Sequence, residues 1–314
     1  MYGRDAISEI DWRRYRLTPF RIFAICFGLL AIAAVISVQQ FSNAPNNVLP
    51  GGAPVGGDYV AFYGAAIAAA EGDAAQMYDY DSFEAQLQRV GPPLDEFKLT
   101  WQYPPTYFLL LAPFAFLPFI PGYIAWTGGA MALYFGVMRK IGFSWFFLFV
   151  IFAAPSTFQA IITGQNGFLT ATLLAIAALT PDKRPLLAGL AAALLTIKPQ
   201  LGVLLPIAYL AGGYWRAFLY AAFGSIAFAG AATAAFGADI WIAFLDGFTA
   251  ASERLGAGVY PLFKMATPFA WMKFLGAPFA VAAAFHAVFA ALATAVIARV
   301  WRCVNDAELR AAAL

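Results

Sequence analysis

Two ionisable side chains that adjoin apolar segments could do chemistry, and the first of them is Asp58. It follows Gly56-Gly57 and opens the stretch DYVAFYGAAIAAAEGDAAQMYD, which comes after the first strongly apolar run of the chain. A carboxylate can take a proton from a hydroxyl group, which is a poor nucleophile until it loses that proton. The two glycines predict a sharp turn of the backbone before it, and an aspartate after two glycines is also a good helix N-cap. The residues alone therefore leave two roles open for Asp58, a general base and a helix cap.

The second is Lys198, which stands between an apolar run and Pro199. Because proline interrupts a helix, this pair predicts a helix break at membrane depth. A charge at that depth is costly and is a functional candidate by default. The ammonium group would bind an anion such as a phosphate, beside backbone groups that the break frees to line a cavity. The alternative is that the side chain only snorkels to the membrane interface.

The composition places both residues in a membrane protein. The chain has 314 residues, of which 62% are hydrophobic and 11% are charged, whereas soluble domains are about 45–50% apolar and about 25% charged. The formal net charge of +2 is too small to indicate a nucleic-acid partner. We therefore predict an all-α polytopic membrane protein, with residues 1–314 forming a single integral membrane domain.

The distribution of Lys and Arg predicts the membrane topology. Basic pairs such as Arg139-Lys140 and Lys183-Arg184 separate apolar segments, and the positive-inside rule places such groups in the cytoplasm. The proline-rich segment Trp101–Phe119 is then expected as a juxtamembrane or partly inserted element on the outer face, since proline is costly inside a straight helix. About eight crossings with both termini inside follow from this scheme. They are Arg21–Val38, Gly122–Met138, Phe143–Phe158, Gly167–Thr180, Pro185–Ile197, Leu201–Gly212, Ala217–Phe236 and Ala277–Val300.

The same scheme assigns the remaining segments to the two sides of the membrane. Residues 1–20 form a cytoplasmic N-terminal segment, 39–119 an outer loop with interfacial helices, and 237–276 a second outer loop. In the first outer loop Tyr59 and Tyr63 recur with other apolar residues at helical spacing. We therefore expect a short helix that lies on the membrane surface after Asp58, with its tyrosines at headgroup depth.

Several stretches of the sequence resemble one known family. The stretch that Asp58 opens is similar to its pattern of an aspartate, a tyrosine a few positions on, and a small-residue helix that ends in a glycine and a "lYd". WQYPPTYFLLLAPFAFLP resembles its "YPP … P" element, GQNGFLTATLLAIAAL its Gly-Gln turn, and LLAGLAAALLTIKPQLGVLLP its "aGl…KP…l" element. In order and spacing they resemble the polyprenyl-phosphate-mannose-dependent mannosyltransferases of glycosyltransferase family 87, integral enzymes of the GT-C architecture.

The resemblance implies transfer of a sugar, expected to be mannose, from a polyprenyl-phosphate donor to an acceptor hydroxyl of a glycolipid or glycan on the outer face. Asp58 would be the general base and Lys198 the ligand of the donor phosphate. A single displacement with one base inverts the anomeric centre. The lipid-phosphate sugar carries its own leaving group, so no cofactor is expected beyond this substrate. No metal is expected either, because the sequence has no His/Cys/Asp/Glu cluster with ligand spacing.

The same resemblance suggests which side chains bind the sugar. Gln165 and Asn166 could hydrogen-bond sugar hydroxyls or satisfy the backbone of a turn; Gln102 and Tyr103 could border the sugar pocket or anchor the chain at the interface. The full set of expected sugar- or substrate-binding residues is Tyr59, Tyr63, Gln102, Tyr103, Gln165, Asn166 and Gln200.

Two functions of other classes remain open. A polytopic transporter or flippase would also explain the apolar segments and the broken helix at Lys198, although the sequence has no internal repeat and its polar residues concentrate in one outer loop. A non-catalytic partner in cell-envelope assembly would keep the fold without the chemistry. If the chain is a glycosyltransferase, we expect a multi-pass protein of the cell (inner) membrane, with its active site on the periplasmic or extracellular face.

Overall fold

The computed structural model describes residues 18–50, 52–93, 99–256, 262 and 265–314. Every regular element in these ranges is helical, so the all-α prediction is confirmed there. Most of the predicted cytoplasmic segment 1–20 lies outside the described residues.

In the described ranges the α-helices follow one another along the chain, and four 3-10 helices stand between them. The α-helices are α1 (Pro19–Ser42), α2 (Tyr59–Glu71), α3 (Tyr80–Val90), α4 (Thr106–Leu111), α5 (Phe119–Ile141), α6 (Trp145–Ala153), α7 (Pro155–Ile162), α8 (Gly167–Leu179), α9 (Pro185–Leu194), α10 (Pro199–Gly202), α11 (Leu205–Ala211), α12 (Trp215–Phe236), α13 (Asp239–Gly256), α14 (Pro268–Phe274), α15 (Phe279–Cys303) and α16 (Ala307–Ala312). The 3-10 helices are Pro45–Asn47, Ala74–Tyr78, Ala112–Phe116 and Leu195–Ile197.

Among the residues that the structure describes, three helices, α1, α12 and α15, are long and apolar enough to cross a membrane. A fourth candidate is the pair α6 and α7, which bends by 63° at a short break where Pro155 begins the second helix. Other predicted crossings, such as 167–180 and 185–197, form apolar helices that are shorter than the roughly 20 residues of a straight span. The structure therefore confirms a membrane protein, while the count of about eight crossings stays a prediction.

Helix α2, which follows Asp58, is a buried core helix, so the prediction that it lies on the membrane surface is wrong. Nine of its thirteen residues are buried, among them Tyr59 and Tyr63. The reason is its composition: alanines and Gly64 on every side let neighbouring elements approach closely, and a helix that is apolar all round belongs in a protein interior. Its tyrosines consequently pack inside the protein instead of at the lipid headgroups.

The loop before α2 packs directly on the loop before α8. Gly56 and Gly57 adopt positive φ values of 80° and 47°, which glycine tolerates because it has no Cβ. A Cβ on Gly57 would stand 2.9 Å from the Cα of Thr163. The amide of Tyr59 donates a 3.2 Å hydrogen bond to the carbonyl of Thr163. The glycine pair, predicted to turn the chain sharply, therefore also brings residue 58 beside residue 165.

Helix α13 packs against the cluster of buried residues that surrounds α2. It approaches the 3-10 helix Ala74–Tyr78 closely, because Gly247 has no side chain: a Cβ there would lie 3.1 Å from the carbonyl oxygen of Tyr78. Its charged residues include Asp246 and Arg254. Helix α13 thus forms a wall next to the loop that carries Gln102 and Tyr103.

Candidate active site

One cavity of about 660 Å³ gathers most of the side chains that the sequence singled out. This volume is within the range of ordinary ligand pockets, about 300–1,000 Å³. The predicted site residues that line it come from four separate parts of the chain. They are Asp58, Gln102, Tyr103, Gln165, Lys198 and Gln200.

Asp58 is held by a side chain and does not cap its helix. It occupies the residue before α2, but its carboxylate accepts no hydrogen bond from the first turn of that helix. Instead, Nε2 of Gln165 donates a hydrogen bond to Oδ2 of Asp58, across 107 residues of sequence. The capping alternative is therefore wrong for Asp58, and its half-buried carboxylate lies at the cavity wall.

Lys198 is held from behind by a buried amide. Its Nζ donates a 2.8 Å hydrogen bond to Oδ1 of Asn166, while Nδ2 of Asn166 donates a 3.1 Å hydrogen bond to the hydroxyl of Tyr107. The ammonium also lies 5.8 Å from the ring centroid of Tyr103, a favourable cation–π distance. An ammonium has three donors, so the contact with Asn166 leaves donors for a ligand in the cavity. The side chain is half-buried and interacts electrostatically with Asp58.

The break that positions Lys198 is built as the sequence predicts. The 3-10 helix Leu195–Ile197 ends immediately before Lys198, and Pro199 begins the next short helix. The backbone of Lys198 itself is non-helical (φ −138°, ψ 74°). Helical dihedral angles are disfavoured for the residue before a proline. The side chain thus projects from the break, and not from a continuous helix face.

Tyr103 supplies a neutral hydroxyl at the same cavity. Burial raises the pKa of its phenol well above the ordinary value, and the nearby negative charge of Asp58 raises it further. A phenol with a raised pKa stays protonated in the physiological range. It can therefore donate a hydrogen bond to a hydroxyl or phosphate oxygen.

The structure does not bring Tyr59, Tyr63 or Asn166 to the cavity surface. Tyr59 and Tyr63 point to the other side of α2, where they pack with Phe119; the hydroxyl of Tyr63 donates to the carbonyl of Leu117. Asn166 is fully buried, and both ends of its amide are used by Lys198 and Tyr107. The expected contacts of these three residues with a sugar do not fit their positions.

The cavity includes residues that the sequence did not single out. Phe62, one position before Tyr63, lines it from α2, and Trp101 lines it beside Gln102. Helix α13 adds Phe248 and Ser252. The spacing of Phe62 after Asp58, one helical turn, is the only sequence signal that could have identified any of them.

The described part of the chain holds no group of three or more His, Cys, Asp or Glu side chains that could bind a metal ion. Of the residues that the structure describes, one carboxylate, one ammonium, one phenol and several amides line this cavity. This set can remove a proton from a hydroxyl group and neutralise an anion beside it.

Comparison with known proteins identifies the family. The family model of glycosyltransferase family 87 matches residues 101–314; neither the curated proteins nor the solved structures include a match. Most of the cavity residues, Lys198 among them, lie inside the matched region, whereas Asp58 precedes it. The match covers more than half of the chain, and the chain therefore belongs to glycosyltransferase family 87, a family of membrane glycosyltransferases.

Proposed function

We propose that the protein transfers a mannosyl residue from a polyprenyl-phosphate donor to a hydroxyl group of a glycolipid or glycan acceptor. The transfer would take place at the 660 Å³ cavity, on the periplasmic or extracellular face of the cell (inner) membrane, with inversion at the anomeric carbon. Asp58 acts as the general base and Lys198 binds the donor phosphate. No cofactor or metal is part of the proposal.

The observation that carries the proposal is the meeting of Asp58 and Lys198 at one cavity. Each is held by an amide of the same loop, Gln165 on Asp58 and Asn166 on Lys198. The two groups have opposite tasks in glycosyl transfer, since one must accept a proton and the other must stabilise a leaving phosphate. Two neighbouring amides therefore present a base and a cation toward one ligand.

A groove beside Lys198 supports a lipid-linked donor. Pro199 lines both the cavity and a separate groove of about 220 Å³, which is lined mainly by apolar side chains. One side of this groove is formed by α12, a helix long and apolar enough to cross a membrane. A donor with its phosphate at Lys198 would have an apolar path for its first isoprenoid units directly adjacent.

The reaction follows from this arrangement as one displacement. The acceptor hydroxyl loses its proton to the Asp58 carboxylate while its oxygen forms the new bond to the anomeric carbon. The bond from that carbon to the phosphate oxygen breaks, and its electron pair leaves with polyprenyl phosphate beside Lys198. Gln165 keeps the carboxylate oriented toward the cavity.

The proposal is tested by transfer of radiolabelled mannose from polyprenyl-phosphate-mannose to membrane lipids and glycans, with purified full-length protein in lipid nanodiscs. Asp58→Asn keeps an oxygen that can accept the hydrogen bond from Gln165, but it is not a useful base at neutral pH. We expect transfer to fall by about two to four orders of magnitude in this variant. Asp81→Asn is the matched control, because Asp81 is exposed on α3 and does not line the cavity.

If folded Asp58→Asn protein transfers mannose at the wild-type rate, Asp58 is not the general base. Absence of any mannose transfer by the wild-type protein, when a strain lacking it has lost no mannosylated product, would remove the proposed reaction.

A further inference from the structure

A second cavity, of about 380 Å³, adjoins the candidate active site along helix α13. The two cavities share lining residues, Trp101 and Gln102 from one loop and Ala251 from α13. A molecule that enters the active site from this side would therefore keep part of itself in the second cavity. The reaction proposed above assigns no task to it.

Helix α13 forms a common wall of the two cavities. Phe248 and Ser252 are four residues apart on α13 and face the active-site cavity. Asp246 and Arg254 lie on the neighbouring stripe of the same helix and face the second cavity. The two cavities are thus lined by different faces of α13, and Ala251 lies between these faces and lines both cavities.

The second cavity combines aromatic rings with charged groups. Arg254 lies 4.2 Å from the ring centroid of Tyr80, and the buried Trp101 lies at the back of the cavity. The carboxylates of Asp79 and Asp246 also line it. Oδ1 of Asp79 is used by the backbone and hydroxyl of Ser82, whereas Asp246 accepts no hydrogen bond from any residue that the structure describes.

We propose that this second cavity binds the sugar rings of a neutral glycan acceptor and delivers its terminal hydroxyl to the active-site cavity. The inference rests on the proposed function and names the acceptor subsite for it. The half-buried ring of Tyr80 offers apolar surface to the C–H face of a sugar, and carboxylates accept hydrogen bonds from its hydroxyls. The guanidinium of Arg254 donates to ring or hydroxyl oxygens.

The charges favour a neutral ligand over an anionic one. Among the residues that the structure describes, two carboxylates and one guanidinium line the second cavity. A phosphate or uronate would therefore meet a net negative wall there, and like charges repel in a partly enclosed site. The volume of about 380 Å³ falls at the low end of ordinary ligand pockets, about 300–1,000 Å³, which limits the bound part to a few sugar rings. Gln102, at the boundary of both cavities, would contact the ring that carries the reacting hydroxyl.

Binding is measured without donor, by saturation-transfer NMR on the full chain in nanodiscs. The probes are the methyl glycosides of mannobiose, maltose, lactose and N-acetylchitobiose, with methyl glucuronide as the anionic comparison. The variants are Asp246→Asn and Arg254→Gln; Glu253→Gln is the control, since Glu253 is on the same helix but lines neither cavity. We expect at least one neutral disaccharide to bind the wild-type protein, with affinity lower by roughly tenfold in each cavity variant and unchanged in Glu253→Gln.

The outcomes separate this inference from the proposed function. Binding that depends on Asp246 and Arg254 in a protein that transfers no mannose would overturn the proposed function and leave the glycan site standing. Mannose transfer whose acceptor KM is the same in wild type, Asp246→Asn and Arg254→Gln would overturn the glycan site and leave the function standing. Stronger binding of the glucuronide, or binding of none of the neutral disaccharides, would also overturn the glycan site.

Discussion

Nζ of Lys198 lies 2.8 Å from Oδ1 of Asn166, and the other end of that amide donates to the hydroxyl of Tyr107. This fully buried asparagine thereby connects the cation at the helix break with the tyrosine of the segment YPPTY. Its neighbour Gln165 holds Asp58. One dipeptide of the loop before α8 thus orients the two groups on which the proposed reaction depends.

Asn166→Ala should weaken donor binding without removing the reactive groups. Lys198 would lose the hydrogen bond that fixes its ammonium, and hydrogen bonds to charged groups contribute about 1.5–3 kcal/mol. We expect the KM for polyprenyl-phosphate-mannose to rise roughly 10- to 100-fold, with a smaller change in kcat. Thr172→Val on the same helix is the control, since Thr172 is equally buried but bonds only to the backbone of Phe168. An unchanged donor KM in Asn166→Ala would show that Lys198 needs no such support.

Lys198→Met should affect the donor far more than the acceptor. A point charge beside a phosphate in a partly enclosed cavity interacts more strongly than it would in water. We expect donor affinity to fall roughly 10- to 100-fold, with partial recovery in Lys198→Arg, which retains the charge. Lys183→Met, at an exposed cation outside the cavity, provides the comparison. Donor affinity measured by filter binding should be the same in Lys198→Met and Lys183→Met if Lys198 has no part in phosphate binding.

Gly164→Ala should displace Gln165 and with it Asp58. Gly164 has a positive φ of 61°, and a Cβ there would stand 2.5 Å from Cβ of Tyr59 and 3.0 Å from the carbonyl oxygen of Gly56. Gly213→Ala is the matched control, because its φ of 75° brings the same type of strain while nothing lies within 4 Å of the added Cβ. Both variants should lose about 1–2 kcal/mol from backbone strain. Only Gly164→Ala should also lose most of its transfer activity, and equal activity in the two variants would contradict the close contact.

Arg310 should stabilise the C-terminal part of the fold. Its buried guanidinium lies 5.1 Å from the ring centroid of Tyr214 and 5.6 Å from that of Trp301, whose Nε1 donates to the carbonyl of Arg310. Because such desolvated cation–π contacts contribute up to about 2 kcal/mol, Arg310→Met should lower the free energy of unfolding by about 1–3 kcal/mol. Thermal unfolding in detergent measures this, with the exposed Arg302→Met expected to behave as wild type. A wild-type unfolding midpoint in Arg310→Met would mean that the rings hold α16 without the cation.

The predicted topology places α3 outside and the loop after α8 inside. In a background with Cys26 and Cys303 replaced, single cysteines are placed at Asp81 and Lys183, which are both exposed. An impermeant thiol reagent added to intact cells should label the cysteine at position 81 and leave the one at position 183 unlabelled. Labelling of position 183 from outside would reverse the scheme and move the active site to the cytoplasmic face.

The amino-acid sequence by itself determined the class of protein and indicated the two candidate groups, Asp58 and Lys198. Its excess of apolar residues and shortage of charges require a membrane, and this holds regardless of how the helices pack. Lys198 before Pro199 predicted a cation at a helix break. Both effects behind this prediction, the cost of a charge at membrane depth and the missing backbone N–H of proline, depend only on neighbouring residues. Gly56-Gly57 predicted the sharp turn before Asp58 for the same reason.

Only the tertiary structure decided which neighbours these groups have. Helix α2 is apolar on every side, so no polar stripe in its sequence indicates which face meets the cavity; Phe62 lies there, and Tyr59 and Tyr63 lie on the other side. The hydrogen bond between Gln165 and Asp58 joins loops 107 residues apart, and sequence periodicity carries information only within one helix or strand. The second cavity likewise exists because α13 packs against the 3-10 helix Ala74–Tyr78, a contact set by how the whole chain packs and not by either segment alone.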